Sequence, residues 1–327
     1  PRLARGGGFG AMPKIKTTAS KEAMRWQDDL PTGDIAQEPG LQGNDFDVRM
    51  QDEPDGMVAA RKVVDVLKEK GVCVVQANAP QELVVSAYEE AEELYGDGRF
   101  RAPLTVYDDH SRLQVQCWSQ ALQDEERVYW VGQSEGASSQ HITNSLRALA
   151  KNIADFGGGL SEMLQKDLGL NFDRFGNCML SCYTGKRKYA LHMDNCHGDD
   201  GDEGAFPDNG MRLTLIYFIN LYWDPNNCDN GGGLDVFLSD PKEPPESAAA
   251  AKGCRRLRIA PHADTLVLFL SERMAHQVIA TSGDEKWFAM TVWCLNGPAM
   301  MQMSRRLHGM RAAGRKRGDG SDSDDAD

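Results

Sequence analysis

The sequence predicts an α+β protein with a mainly β core. Three observations carry this. Helical periodicity is confined to the first half, between Met57 and about 167. From about 177 the pattern changes to short strands separated by Gly and Pro clusters. The order, helices first and strands after, argues against a doubly wound parallel sheet.

Taken in order, residues 1 to about 55 are rich in Gly, Pro, Asp and Gln without sustained periodicity, and are expected to be mostly disordered. Met57 to Leu67 has apolar residues at helical spacing, and Gly71 ends that amphipathic helix. Val72-Cys-Val-Val-Gln76 reads as a strand, and Pro80 precedes a second helix through about Tyr95. A longer helical stretch covers roughly 143–167, with Gly157-Gly-Gly159 expected to break it. Strands follow near 177–183, 188–194, 211–220, 233–238, 254–259, 265–270, 275–280 and 286–295. Many short strands at this spacing indicate a sandwich or barrel. The expected organisation is an arm over 1–55, one domain over 56–300 and a tail over 301–327 that is basic and then acidic.

Composition narrows the function. The 327-residue chain is 41% hydrophobic, enough for a sizeable core, and its net charge of −13 argues against a general nucleic-acid binder. Eight cysteines at irregular spacing, with no C-x-x-C pair, read as free thiols in a reducing compartment, the cytoplasm or nucleus. No apolar run approaches the roughly 18–20 residues that cross a bilayer, so no membrane partner is expected. Residues 1–21 hold five basic residues and no acid. They read as a disordered basic arm, with the end of an organelle transit peptide as the alternative. Arg315-Lys-Arg317 and the acidic serines Ser321 and Ser323 are weak signals for a nuclear address and for phosphorylation.

The chemistry rests on His192-Met193-Asp194. On a strand, His192 and Asp194 project to the same side. Inside a barrel such a pair is costly unless it is paired or holds a metal. On a solvated face it would mean nothing. His276, after the apolar run Thr265–Leu270 and the turn Ser271–Ala275, would supply a third ligand from a neighbouring strand. Two histidines and one carboxylate occupy one face of an octahedral Fe(II) and leave positions open for a chelating cosubstrate and O₂. Lys286 opens the next strand. A cation there can hold the far carboxylate of the cosubstrate, because a buried carboxylate needs a partner. The bland alternative is a solvent-facing lysine beside Asp284 and Glu285.

The C-terminal half also resembles a known family, the Fe(II)/2-oxoglutarate-dependent prolyl 4-hydroxylases, and within it the oxygen-sensing branch acting on hypoxia-inducible factors. The resemblance is carried by Met179–Tyr183, Tyr189–Asn195, Leu213–Asn220 with Trp223-Asp224, Gly231–Phe237, Asp264–Phe269, His276–Val278 and Ala289–Trp293. Val128–Val131 is similar to a family strand further upstream. The likeness spans roughly 57–296 and is specific from 177 onward. It implies a double-stranded β-helix, or jelly roll, buttressed by N-terminal helices. It implies Fe(II) held by His192, Asp194 and His276, with 2-oxoglutarate and O₂ as cosubstrates and L-ascorbate as reductant. It further implies that Tyr183, Thr214 and Thr291 line the 2-oxoglutarate pocket, and that Tyr189 and Trp293 lie near the metal and the substrate. The expected partner is a proline-containing protein or peptide, the expected oligomeric state a monomer, and the expected role oxygen sensing in a hypoxia response.

Two positions depart from that branch. It carries an Arg nine residues after the distal His, where this chain has Glu285; counted back from Thr291-Val-Trp293, Trp287 takes that place. Lys286 instead matches the collagen-type and algal enzymes, and it offers a point charge rather than a fork. The branch also has a Tyr where this chain has Phe218, and the adjacent Tyr217 is expected on the other face of the strand. The acid-rich loop from Cys196 to Gly210 reads as solvated, or as a rim selecting a basic peptide.

Overall fold

The computed structural model describes residues 45–100, 106–108, 113–115, 127–132, 143–184, 188–195, 208–223, 232–239, 251, 253–281 and 286–305. The basic arm 1–21, most of the acid-rich loop and the charged tail lie outside the described residues.

Strand β1 (Val48–Arg49) runs parallel to β2 (Val72–Gln76). Asp47 supports the pair by accepting the Val74 amide at 2.8 Å and Lys70 at 2.6 Å. The folded chain thus begins ahead of residue 55, through main-chain pairing that composition does not reveal. Helix α1 (Gly56–Lys70) starts at Asp55, whose carboxylate accepts the Met57 and Val58 amides, and ends at Gly71 in the left-handed region. Helix α2 (Gln81–Gly96) follows Pro80. Strands β3 (Val106–Asp108) and β4 (Leu113–Val115) form a separate hairpin, and β5 (Arg127–Trp130) follows.

Helix α3 (Asn144–Leu168) is continuous through Gly157–Gly159, contrary to the expected break. Its first turn is capped from α2, where Glu90 accepts the Ser145 and Leu146 amides at 2.9 Å each. The glycines serve close packing: a Cβ on Gly157 would stand 3.1 Å from Cys294 Sγ and 3.4 Å from Leu215. The helix lies on a sheet at a distance a larger residue would not permit.

The remaining strands are β6 (Arg174–Phe175), β7 (Met179–Tyr183), β8 (Tyr189–His192), β9 (Met211–Phe218), β10 (Leu234–Leu238), β11 (Arg255–Ile259), β12 (Thr265–Leu270), β13 (His276–Val278) and β14 (Trp287–Leu295). They build a major sheet in the order β1-β2-β12-β9-β14-β7-β5, with β6 on β14, and a minor sheet in the order β11-β10-β13-β8. Two mostly antiparallel sheets with helices on the outer face of the larger one give the expected α+β jelly roll. The buried core unites both faces of the major sheet, from Leu146 and Leu164 on α3 to Val236 and Val278 on the minor sheet. At the far end, helical turns over 297–305 continue past the expected limit of 300 and bury Met300 and Met303.

Strand alternation sorts the side chains of β14 without ambiguity. Phe288 packs on Tyr88 of α2, and Cys294 meets Gly157 of α3, so even-numbered positions face the helices. Trp287 stacks on Tyr183 and Trp293 reaches Asp194, so odd-numbered positions face between the sheets. On β9, Thr214, Ile216 and Phe218 share the inner face, while Tyr217 turns outward and donates to Asp264 at 3.1 Å.

Candidate active site

His192 closes β8, and Asp194 sits in the turn just beyond it. His276 opens β13 directly across from His192 in the antiparallel register. One side-chain ligand atom from each of the three lies within 4.8 Å of the others. Asp194 Oδ1 is 3.4 Å from His192 Nε2 and 3.7 Å from His276 Nε2, and the two imidazole centroids are 4.2 Å apart.

The surroundings aim these atoms at a common centre. His276 is 5% exposed, packs on Phe269 at 4.5 Å, and directs Nδ1 at the Met274 carbonyl at 3.2 Å. That contact leaves Nε2 for a metal. Burial, with His192 beside it and against the pull of Asp194, brings the His276 pKa down to about 4, so the ring is neutral at pH 7 and its lone pair is free. Burial alone would push the Asp194 pKa up, but His276, His192 and the Thr214 hydroxyl together hold it below the ordinary carboxylate range.

Asp194 is oriented by its other oxygen. Oδ2 accepts Thr214 Oγ1 at 2.5 Å and Trp293 Nε1 at 3.0 Å, leaving Oδ1 toward the histidines. The buried Ser271 hydroxyl, 2.8 Å from Thr214 Oγ1, can donate to it once the Thr214 proton is committed to Asp194. The main chain is fixed too. Asn209 Nδ2 donates to the Asp194 carbonyl at 2.7 Å, and Asn195 bridges Asp208 and the Met211 carbonyl. Arg212 grips both Asp208 oxygens at 2.9 and 2.6 Å and pairs with Glu272 at 2.7 Å. Asp208 therefore clamps the end of the acidic loop onto β9. Two imidazoles and one carboxylate oxygen facing a common centre suit a divalent iron with open coordination positions.

The structure brings together most of the residues singled out in the sequence. Tyr189 packs on the His192 ring with centroids 4.4 Å apart. Trp293 and Thr214 are at the centre, where both donate to Asp194 Oδ2. Thr291 is buried on the inner face of β14, in register with Ile216, and Tyr183 stacks on Trp287 at 4.5 Å.

Lys286 is the exception. It precedes β14 on the helix side, pairs with Glu92 of α2 at 2.5 Å and lies over the Tyr95 ring at 5.0 Å. It is not brought to the inner face, because it shares the parity of Phe288 and not that of Trp287. Sequence reasoning missed Ser271, Asn195, Asn209 and Arg212, which carry no motif and are recognisable only by contact. It also missed Trp130 as a site residue, although its strand was noted; Trp130 lies 6.4 Å from Trp293, centroid to centroid.

The fold and the His192, Asp194 and His276 cluster are similar to those of 2OG-Fe(II) oxygenases. Residues 178–295 match the sequence pattern of the 2OG-Fe(II) oxygenase superfamily, and the matched segment contains His192, Asp194 and His276. No curated protein sequence matches the chain. Among solved structures, a prolyl hydroxylase from Trichoplax adhaerens, in complex with a hypoxia-inducible-factor peptide fragment, is 19% identical with a TM-score of 0.54, over 76% of this chain and 93% of its own. The epimerase SnoN, in complex with Fe³⁺, α-ketoglutarate and nogalamycin RO, is 14% identical with a TM-score of 0.50, over 73% of this chain and 84% of its own. A Pseudomonas putida prolyl-4-hydroxylase is 18% identical with a TM-score of 0.49, over 72% and 98% respectively. At these identities the likeness is one of fold, and the resemblance to 2OG-Fe(II) oxygenases drawn from the sequence stands.

Proposed function

We propose that this protein is an Fe(II)-dependent dioxygenase that consumes a 2-oxo acid and hydroxylates a prolyl residue of a protein or peptide. The observation that carries the reaction class is Asp194, with Oδ2 tied by Thr214 and Trp293 and Oδ1 held toward both Nε2 atoms. Iron bound there supplies O₂ activation, with net conversion of 2-oxo acid, O₂ and a C–H bond into the acid one carbon shorter, CO₂ and C–OH. The chain contributes the rest. His192, Asp194 and His276 would hold the metal. Thr214, Ser271 and Trp293 keep the carboxylate oriented without reorganisation. Tyr189, Trp130 and Trp293 give an aromatic surface beside the centre on which a substrate ring can rest while water is excluded.

The prolyl substrate is supported by the sequence resemblance and by the peptide complex of the Trichoplax relative in fold. Ascorbate is expected to keep the iron ferrous, and an oxygen-sensing role in the cytoplasm or nucleus follows the same resemblance. A small-molecule substrate is the second reading, favoured by the comparable structural likeness to SnoN. The deciding experiment supplies the purified protein with Fe(II), ascorbate and a 2-oxo acid at high concentration, with and without proline-containing peptides. Peptide-dependent CO₂ release with a prolyl product heavier by one oxygen atom is the expected result, lost in His192→Ala and Asp194→Ala. CO₂ release indifferent to peptide would move the assignment to small molecules. A protein that binds metal through the triad yet releases no CO₂ would be a binding module.

A further inference from the structure

We infer that the far end of the cosubstrate pocket selects a 2-oxo acid with an apolar tail over one ending in a second carboxylate. This rests on the dioxygenase reading above and names its cosubstrate class. The inner faces of β9 and β14 run side by side away from the metal centre, from Thr214 and Trp293, through Ile216 and Thr291, to Phe218 and Trp287. Phe218 stands four residues from Thr214, about 13 Å along the strand. A 2-oxo acid held at the His192, Asp194 and His276 cluster would extend its tail along this path.

That path ends in aromatic carbon. Trp287 stacks on Tyr183 at 4.5 Å and meets Phe218 edge-on at 5.8 Å and Trp223 edge-on at 6.5 Å. Trp287 and Phe218 are each 1% exposed. Among the described residues, no inward-facing position of β7, β12 or β14, nor of β9 beyond Thr214, is charged. The nearest cation in sequence, Lys286, is committed to Glu92 on the opposite face. A second carboxylate delivered here would be a buried anion without a counter-charge from these strands among the described residues, at a cost of several kcal/mol. An alkyl or aryl tail would instead be among like surfaces.

One polar atom does face this end. Trp287 Nε1 is buried and has no hydrogen-bond partner, so it is a donor held in reserve. It lies against Gly232, whose φ is +77° and where a Cβ would stand 3.1 Å from Nε1 and 2.9 Å from the Trp223 ring. The glycine keeps the space in front of the indole N–H open to one small acceptor. One neutral donor favours a tail with at most one neutral acceptor. It does not replace a cation.

The test is isothermal titration of the Fe(II)-loaded protein under anaerobic conditions with 2-oxoglutarate and with 4-methyl-2-oxopentanoate, alongside quenching of indole fluorescence. The expected result is at least tenfold tighter binding of the monoanionic acid. Trp287→Arg should invert that preference, and Phe218→Tyr, which adds only a hydroxyl, should shift it several-fold in the same direction if the Arg variant fails to fold. Lys286→Ala should leave both affinities unchanged. Tighter binding of 2-oxoglutarate by the wild-type protein would overturn the inference and leave the dioxygenase reading standing. If neither acid binds the metal-loaded protein, the dioxygenase reading itself falls and the inference with it.

Discussion

Thr214 gives the sharpest test of how the metal site is built. Its hydroxyl sits 2.5 Å from Asp194 Oδ2, and the Ser271 hydroxyl lies 2.8 Å behind it, so Thr214→Val deletes one donor and strands another while keeping the shape of the side chain. A hydrogen bond to a charged group contributes about 1.5–3 kcal/mol. The loss falls on a ligand's orientation, so metal affinity should drop roughly 10–100-fold, which corresponds to about 1.4–2.8 kcal/mol. The two ranges, reached independently, agree. The metal-free protein should also melt roughly 3–12 °C lower, at about 2–4 °C per kcal/mol for a domain of this size. Metal affinity is read by chelator competition, and Thr214→Ser is the control that restores the hydroxyl. A valine variant with metal affinity within twofold of both wild type and the serine variant would refute the claim that Thr214 orients Asp194.

Three further outcomes follow from the packing and electrostatics. Lys286→Ala should cost about 1 kcal/mol or less in urea unfolding, because its pair with Glu92 is partly exposed on both sides. Gly157→Val should destabilise by about 1–3 kcal/mol by overpacking against Cys294 and Leu215, whereas Gly159→Ala, with nothing within 4 Å of the added carbon, should be neutral or stabilising in the same assay. Burial would raise the Asp208 pKa, but Arg212, Asn195 and the Gly210 amide outweigh it and hold the carboxyl low. A depressed folded pKa stabilises above the unfolded value of about 4 and loses that contribution as pH falls below it. Asp208→Asn should therefore flatten the fall of the urea midpoint below pH 4 relative to wild type.

Much of the architecture was legible because β-strands announce themselves by period and punctuation. Val72–Gln76 and Thr265–Leu270 came out with their observed limits, and the order of helices and strands set the class. What composition hid was pairing at the edge and close packing. Val48–Arg49 is a two-residue strand defined by its neighbour β2, not by its own sequence. Gly157–Gly159 reads as a helix breaker when propensity is considered alone, yet the burial of Leu146, Leu149, Ile153 and Leu160 along the same helix outweighs the propensity cost. The triad was legible because its spacing carries chemistry. The atoms that orient it were not, since Ser271, Asn195 and Asn209 act through contacts between segments that are distant or irregular.

For Lys286, motif spacing and strand parity point to opposite faces, and the structure places it on the face that parity indicates. The match rested on distance from His276, but a loop separates β13 from β14, and loop length places no constraint on which face a residue takes. Parity within β14 does. Lys286 is an odd number of residues from both Thr291 and Trp293, so the pleat must put it on the face opposite theirs, whatever the loop does. The same count puts Trp287 inside, and on β9 it puts Phe218 inside and Tyr217 outside. The inward-facing residues at that end of β9 and β14 are therefore uncharged aromatics by a rule that needs only the strand assignment. The His192, Asp194 and His276 cluster and its orienting contacts are built from one end of the strands, and the aromatic cluster of Phe218 and Trp287 from the other. These are separable parts, because the triad lies at the mouth of β8 and β13 and the aromatic end lies two pleats away on β9 and β14. Substitutions at Phe218 and Trp287 should consequently alter which 2-oxo acid binds while leaving metal affinity as it is. Substitutions at Thr214 should do the reverse.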